Sequence, residues 1–344
     1  MINKLDKTDR TTQKSVPFPS NTASIIMTKE VCPMNRREML QWLGLAGLAA
    51  VAGCSRRSNG QPGAQKPLDS ARSEHLKRVQ NTVAVASRGS VKEMVERALR
   101  PLGGIEKFVK PGDTVVLKPN AAWLRTPEQA ANTNPEVIAA LIELCKAAGA
   151  KRILIAEHTC DEPATVCFEM SGIRRVADAA GATIVNANNK GMYRPVQIAG
   201  AKVLNQTEVV RDVLEADCFI NVPVAKDHSA TRLTLGLKNL MGIVWDRQTW
   251  HVQGVHECIG DFVLAVKPHL TIIDATRILV TKGPKGPGEV RQPNQVIAAV
   301  DPVAADAFAT TLFGLKPEDI GYIMHAHQLG AGEARLNRLN ITRV

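Results

Sequence analysis

From about residue 81 onward, short apolar runs alternate with longer amphipathic ones. That alternation constrains the fold more than any other feature of this 344-residue sequence. Thr82–Ala86, Thr114–Leu117, Arg152–Ala156, Ala182–Val185, Cys218–Val222, Leu270–Asp274 and Gln295–Val300 read as strands. They are β-branched or continuously apolar, as strands covered on both faces are. Helices are predicted at Val91–Leu99, Pro135–Ala148, Ile173–Ala180, Leu233–Val244, Gly260–Val266 and Val303–Leu312. Pro135 suits a first helical position, and Gly149 and Gly181 suit helix ends. Strands alternating with helices predict an α/β fold with a mainly parallel sheet flanked by helices, as one large domain or two fused lobes.

In such sheets ligands bind beyond the C-terminal ends of the strands. Thr114–Leu117 runs into Lys118-Pro119-Asn120, and Arg152–Ala156 into Glu157-His158. Ala182–Val185 leads to Asn186 and Asn188, Cys218–Val222 to Lys226-Asp227-His228, and the last strand to Asp301. These exits together predict a polar pocket at one edge of the sheet.

The densest group of chemical side chains lies in Asp217–Asp246. A buried strand ends at Pro223, and a polar loop carries Lys226, Asp227 and His228. Ser229 or Thr231 is then expected to cap a helix whose apolar stripe is Leu233, Leu237, Leu240 and Val244. Thr234, Lys238 and Met241 fall on an adjacent stripe. The free N–H groups of that helix, with Lys226, His228 and Lys238, predict a bound anion such as a carboxylate or phosphate. His228 is of the residue type that titrates near neutrality. The bland alternative is a surface loop in which Lys226 pairs with Asp227.

His251, His256 and Cys258 supply ligand types that could hold a transition metal, although they match no strong zinc motif. A lone histidine is more often simply packed or exposed, and that reading leads here; His269, His325 and His327 are read the same way. Thr281–Gly288 is rich in Gly, Pro and Lys but matches neither phosphate-loop nor dinucleotide patterns. It reads as a connecting loop, and Asp301 as a helix cap.

The N-terminal segment bears on destination. Residues 1–33 are polar without apolar periodicity, so Met34 is the expected start. Asn35-Arg36-Arg37 precedes an apolar run from Trp42 to Gly53, which reads as a twin-arginine export signal. The run is too short to span a bilayer, which takes about 20 residues. Small residues before Cys54 are similar to a lipobox, in which the cysteine is lipidated; simple cleavage near Ala52 is the alternative. Residues 1–54 thus form a signal region, 55–80 a flexible tether and 81–344 the α/β domain. Partners expected on this reading are the twin-arginine export machinery and, through a lipid anchor, the membrane surface of the periplasm or cell envelope. Passengers of that route often carry a cofactor inserted before export.

The formal charge is +10, of which residues 1–53 carry +3. With aromatics at 4% and no Arg/Lys-rich block, nucleic-acid binding is disfavoured. No CxxC occurs, so zinc ribbons and ferredoxin-type clusters lack their usual spacing. In an oxidising compartment Cys160 and Cys167 are close enough in sequence to pair. Cys145 and Cys218 read as core residues.

The folded part resembles the domain-of-unknown-function 362 (DUF362) family. The matching segments are Val116–Asn120, Thr133–Val137, Asn221–His228, Thr234–Gly242, the Gly/Pro loop and Asp301–Asp306. The family has no general assigned activity, and its added cluster motifs, found in some members, are missing from this chain. A looser likeness is to the nickel-pincer lactate racemase family, where a Lys ten residues after a His carries the cofactor. His228 and Lys238 have that spacing, and Ile153–His158 is similar to the strand that delivers another catalytic His. Leu235-Gly236-Leu237 replaces the family's Gly-Gly, and His251 and His256 only flank its metal-ligand offset. What the likeness implies is shared architecture.

Three functions remain open on the sequence. In the first, an exported oxidoreductase or isomerase acts on a small carboxylate. His158 and His228 then serve as acid/base groups, while Lys118, Asn120, Lys226, Lys238 and Asn239 bind ligand or cofactor. In the second, a lipid-anchored accessory protein holds an anionic ligand without converting it. In the third, the protein holds a metal or iron–sulfur cluster on Cys160, Cys167, Cys218 or Cys258.

Overall fold

The computed structural model describes residues 63–344. The twin-arginine pattern, Cys54 and the first part of the expected tether lie outside the described residues. The later part of that tether holds helix α1 (Ser70–Val79). Asp69 caps α1 by accepting from the Arg72 amide, and Arg72 reaches Asp113 at 2.6 Å. A tether reading of residues 70–79 is therefore corrected: this helix is tied down by an ion pair that low local hydrophobicity did not advertise.

The strands are β1 (Thr82–Ser87), β2 (Thr114–Pro119), β3 (Arg152–Ala156), β4 (Thr183–Val185), β5 (Tyr193–Gln197) and β6 (Gln206–Val210). They continue with β7 (Cys218–Val222), β8 (Val224–His228), β9 (Arg232–Thr234), β10 (Leu270–Leu279), β11 (Val290–Arg291), β12 (Gln295–Ala299) and β13 (Asn340–Arg343). After α1 the helices are α2 (Val91–Leu99), α3 (Pro135–Ala147), α4 (Ala164–Met170), α5 (Ile173–Ala180), α6 (Arg211–Glu215) and α7 (Gly236–Asn239). The rest are α8 (Gln248–Gln253), α9 (Val255–Phe262), α10 (Pro302–Ala309) and α11 (Gly321–Gln328).

An eleven-stranded sheet carries the path β13-β1-β12-β10-β7-β2-β3-β4, with β8 and β11 paired to β10 and β9 paired to β8. β5 and β6 form a separate antiparallel pair. Along the path only β12 opposes its neighbours. The sheet is thus mostly parallel, as the strand–helix alternation predicts. Side chains alternate across it. Val115, Leu117, Ile153 and Ile155 join the core beneath α2, α3 and α5. Val116, Leu154 and Phe219 join the opposite core with α9, α10 and α11. Local signals start the helices where expected: Ser90 and Glu93 form a capping box at α2, and Asn134 caps α3 ahead of Pro135.

Two expectations fail here. The predicted helix Leu233–Val244 is not one helix, and its polar approach is not a loop. Val224–Thr234 is the hairpin β8–β9, with Lys226 opposite Thr234. The four-residue α7 follows, then a 3₁₀ turn over Leu240–Ile243. Neither Ser229 nor Thr231 caps it. Asp306 of α10 does so, accepting from the amides of Gly236 at 2.6 Å and Leu237 at 2.8 Å. The start of this helix is therefore filled by the protein's own carboxylate instead of a ligand anion. Only glycine fits at 236, since a Cβ there would lie 2.7 Å from the Asp306 carboxylate.

The second concerns Asp301. Because β12 runs against β10, its C-terminal end lies at the opposite end of the sheet from the exits of β2, β3 and β7. Asp301 caps α10 through the amides of Val303 and Ala304, and also accepts from Glu333. Two smaller shifts concern boundaries. The helix expected at Gly260–Val266 lies at Val255–Phe262, and β10 runs on to Leu279 because β8 and β11 pair with its second half.

Candidate functional site: a cationic cavity at the strand exits

The exits of β2, β3 and the β8–β9 hairpin, with α7 and the turn after it, enclose a cavity of about 490 Å³. It is of the size that small-molecule sites have. Its floor is a network of amides and lysines. Lys118 is fully buried. Its Nζ donates to Glu157 Oε2 at 2.7 Å, the Pro119 carbonyl at 2.6 Å and Asn239 Oδ1 at 3.1 Å. Three acceptors, one a carboxylate, are what an ammonium's three hydrogens require. Glu157 Oε2 also accepts from the Ala121 amide. Burial pulls Lys118 down and pushes Glu157 up, and each partner's charge opposes the shift in the other.

Asn239 links this pair to its surroundings. Its Nδ2 donates to Asn221 Oδ1 and to the Lys118 carbonyl, and its Oδ1 accepts from Asn120 Nδ2 at 3.0 Å. Asn120 Oδ1 in turn accepts from Lys226 Nζ at 3.2 Å. Gly242 closes over the ion pair, where a Cβ would stand 1.8 Å from Glu157 Oε1. The glycine of the Met241-Gly242 step is therefore required by close approach.

Lys226 differs from Lys118 in its partners. It is 1% exposed, and among the described residues its Nζ donates only to Asn120 Oδ1 and the Ala131 carbonyl. The ring of Trp123 lies 5.7 Å from this Nζ and 5.6 Å from Lys285 Nζ. Burial pulls Lys226 down to about 7, and the neighbouring Lys238 and Lys118 add to the shift. Lys238, on α7, also faces the cavity. Burial, with Arg247 and Lys118, pulls it down to about 8. Arg247 donates to the carbonyls of His158 and Thr159 and to Cys160 Sγ.

His228 lines the cavity from the end of β8. Burial, then Lys238 and Lys226, drives its pKa down to about 3, so it is neutral. Its Nδ1 accepts from the Ala230 amide at 3.1 Å, which places the proton on Nε2 and makes that nitrogen a donor.

Lys118, Asn120, Lys226, His228, Lys238 and Asn239 thus surround one cavity, as does His251. His158 does not line it. It follows Glu157 on the strand exit, and successive side chains turn to opposite sides. Its ring stacks on Trp245 and its Nδ1 meets the Val244 carbonyl. His256 stacks on Tyr322 and accepts from that residue's amide. Cys258 is buried in the core. His251, His256 and Cys258 are therefore not brought together. The described residues hold no group of three or more His, Cys, Asp and Glu placed to share a metal ion. Cys145, Cys160, Cys167, Cys218 and Cys258 are all free thiols, so Cys160 and Cys167 are not paired. Among the described residues this donor set does not fit a protein-held metal or cluster. Asn188 ties Thr159 and Glu162 together outside the cavity.

Glu157, expected at a strand exit, and Cys160, expected as a candidate metal or cluster ligand, also line the cavity, as do Trp123, Arg247 and Gln248, which no sequence signal marks. The Gly/Pro loop contributes Pro284. It is held by the Gly283 amide on Asp227, by Arg125 on the Lys285 carbonyl, and by Lys285 on Asp161. It is a wall of the site as well as a connection.

All of these cavity residues fall between 118 and 284. The model of the domain of unknown function DUF362 matches residues 115–311 and so contains the whole site. The chain belongs to the DUF362 family. A relative, a thylakoid-associated protein of Synechocystis sp., is 30% identical over 250 residues, covering 70% of this chain and 76% of that one. Among solved structures, the DUF362 chain is similar to the lactate racemase apoprotein from Thermoanaerobacterium thermosaccharolyticum. The TM-score is 0.39 and the identity 14%, over 65% of this chain and 55% of that one. It is also similar to a Thermotoga maritima protein, at TM-score 0.43 and 15% identity, over 65% and 59%. The chain spans little more than half the length of these two structures. Similarity at that level says nothing of residue roles.

Proposed function

We propose that this DUF362 domain binds a small carboxylate in the cationic cavity and moves a proton on it, as an isomerase or oxidoreductase does. The carrying observation is that Lys226 and Lys238 line one cavity and neither has a carboxylate partner. Their pKa values, about 7 and about 8, are where proton transfer works at neutral pH. The Lys238 side chain makes no hydrogen bond among the described residues and is the better placed to exchange a proton. His228 contributes an N–H donor that orients the ligand. The test needs no known substrate. The protein is incubated with small 2-hydroxy and 2-oxo acids in D₂O, and loss of the proton next to the carboxylate is followed by NMR. Exchange that disappears in Lys238→Ala supports the reading. A panel in which nothing exchanges, while anions still raise the melting temperature, leaves a binding protein and ends the enzyme proposal.

The domain is further proposed to act outside the cytoplasm, on a lipid anchor at Cys54. The support is the Asn35-Arg36-Arg37 pattern, the apolar run ending at Gly53 and the cysteine directly after it. A relative described as thylakoid-associated accords with a place at a membrane surface. Fractionation of wild type, an Arg36→Lys/Arg37→Lys variant and Cys54→Ala tests it. Retention of the first variant in the cytoplasm and release of the second from membranes are expected.

A further inference from the structure

The charge left open in the cavity sets a lower limit on the charge of its ligand. Glu157 is the cavity's one carboxylate, and Lys118 already answers it at 2.7 Å. Three cationic side chains remain. Lys226 has two neutral acceptors. Arg247 has two carbonyls and a thiol. Lys238 has no hydrogen-bond partner among the described residues. Buried or half-buried cations without counter-charge are costly, and a bound anion relieves the cost.

A second observation points the same way. Thr234 sits opposite Lys226 on the β8–β9 hairpin and is 3% exposed. Its hydroxyl has no partner among the described residues, and the residue lines the cavity. A buried hydroxyl without a partner calls for one, and at a cavity wall a ligand atom can supply it. With the His228 Nε2–H, the unsatisfied groups are mostly donors.

We propose that the ligand is a small organic anion of charge two or more, a dicarboxylate or a phosphorylated carboxylate, its two acidic groups shared among Lys226, Lys238 and Arg247. One negative charge would leave at least one of these cations unanswered, whereas two match a site in which Arg247 is permanently charged and the lysines are partly so. The proposal rests on the anion-binding reading above and adds the ligand's valence to it.

Calorimetric titration of the full chain tests it. Succinate is compared with butyrate, the same carbon chain with one charge fewer, and the pair is repeated with malonate and propionate. A phosphorylated arm uses 2-phosphoglycolate beside glycolate, and distinguishes a phosphate from a second carboxylate as the other anion. In at least one pair the dianion is expected to bind roughly tenfold tighter or more, since an added ionic contact in a partly desolvated site is worth at least ~1.4 kcal/mol. Lys238→Met should reduce that ratio toward one, and Lys238→Arg should restore it. The wild-type comparison stands whether or not the variants fold. If monoanions bind as tightly as their dianionic partners, the valence inference is overturned while the anion site survives. Failure of every anion to bind overturns both.

Discussion

The two ends of the one sheet handle charge in opposite ways. At the end where β2 and β7 begin, ionic groups are closed. Arg72 pairs with Asp113 and Asp69, Lys66 with Asp217, and the Asp217 carboxylate also takes the Thr114 amide. Asp301, brought to that end by the reversed β12, is held by three backbone amides. At the end where β2, β3 and β8 finish, Lys118 is the only described cation lining the cavity that has a carboxylate, while Lys226, Lys238 and Arg247 meet neutral groups or nothing among the described residues. Closed charges position elements, and open charges are available to something that is not the protein.

The largest test sets Lys118 against Lys226 within the cavity itself. Lys118→Met leaves Glu157 buried without a counter-ion, which costs about 3–5 kcal/mol. The melting temperature should fall by on the order of 10 °C in calorimetry. Lys226→Met strands no charge. Relief of a desolvated amine offsets the two acceptors it leaves open, so its stability should stay within about 1 kcal/mol of wild type while anion binding is lost. Equal destabilisation by the two variants would erase the distinction between a closed and an open lysine.

At the other end, Arg72→Met removes charge-assisted bonds to Asp113 and Asp69 and contacts to the Phe108 and Asp217 carbonyls. A loss of roughly 1.5–3 kcal/mol is expected in denaturant titration, with anion affinity unchanged. A change in anion affinity would show that the two ends are coupled through the sheet.

How much of this contrast the sequence discloses follows from what each signal encodes. Strand periodicity marks β3 and β7 to the residue, and Ser90 and Asn134 mark the starts of their helices. The exit rule then brings Lys118, Asn120, Lys226 and His228 to one edge. It cannot say which face a residue takes beyond a strand end, so Glu157 and His158 are indistinguishable until the turn is seen. Nor does periodicity reveal that the Lys226 segment is a hairpin, because its second strand is three residues long and its polar ends look like a loop. Direction is hidden too: an apolar strand reads the same parallel or antiparallel, and Asp301 is misplaced for that reason. Asp306, which caps α7 from 70 residues away, and Arg247, on the approach to α8, leave no local trace.

The pH dependence of stability should bear the mark of the open end. Lys226 and Lys238 titrate near 7 and 8 in the folded chain, against 10.5 for an unperturbed lysine. Between those values the unfolded chain binds more protons, so stability rises with pH. Their contribution is complete above 10.5 and is lost as pH falls through 8 and then 7. Without ligand, the wild-type melting temperature should therefore climb more steeply from about pH 6.5 to 9 than that of a Lys226→Met/Lys238→Met variant. A saturating anion favours the charged lysines and should flatten the climb. Parallel curves for the two proteins would mean that neither lysine is desolvated as the cavity implies.

Lys285 supplies the smallest and most discriminating comparison, because it lies between the two classes. Its Nζ pairs with Asp161 at 2.7 Å, as closed charges do, yet it also flanks Trp123 on the cavity wall. Its side chain is 41% exposed, and exposed pairs contribute less than about 1 kcal/mol. Lys285→Met should shift the melting temperature by no more than about 2 °C and anion affinity by no more than about threefold. Both are read from one set of melts across an anion titration. A loss of affinity as large as that of Lys226→Met would move the boundary of the open region outward, onto the Gly/Pro loop. A small effect keeps that boundary at the buried amines, where burial and the lack of carboxylate partners coincide.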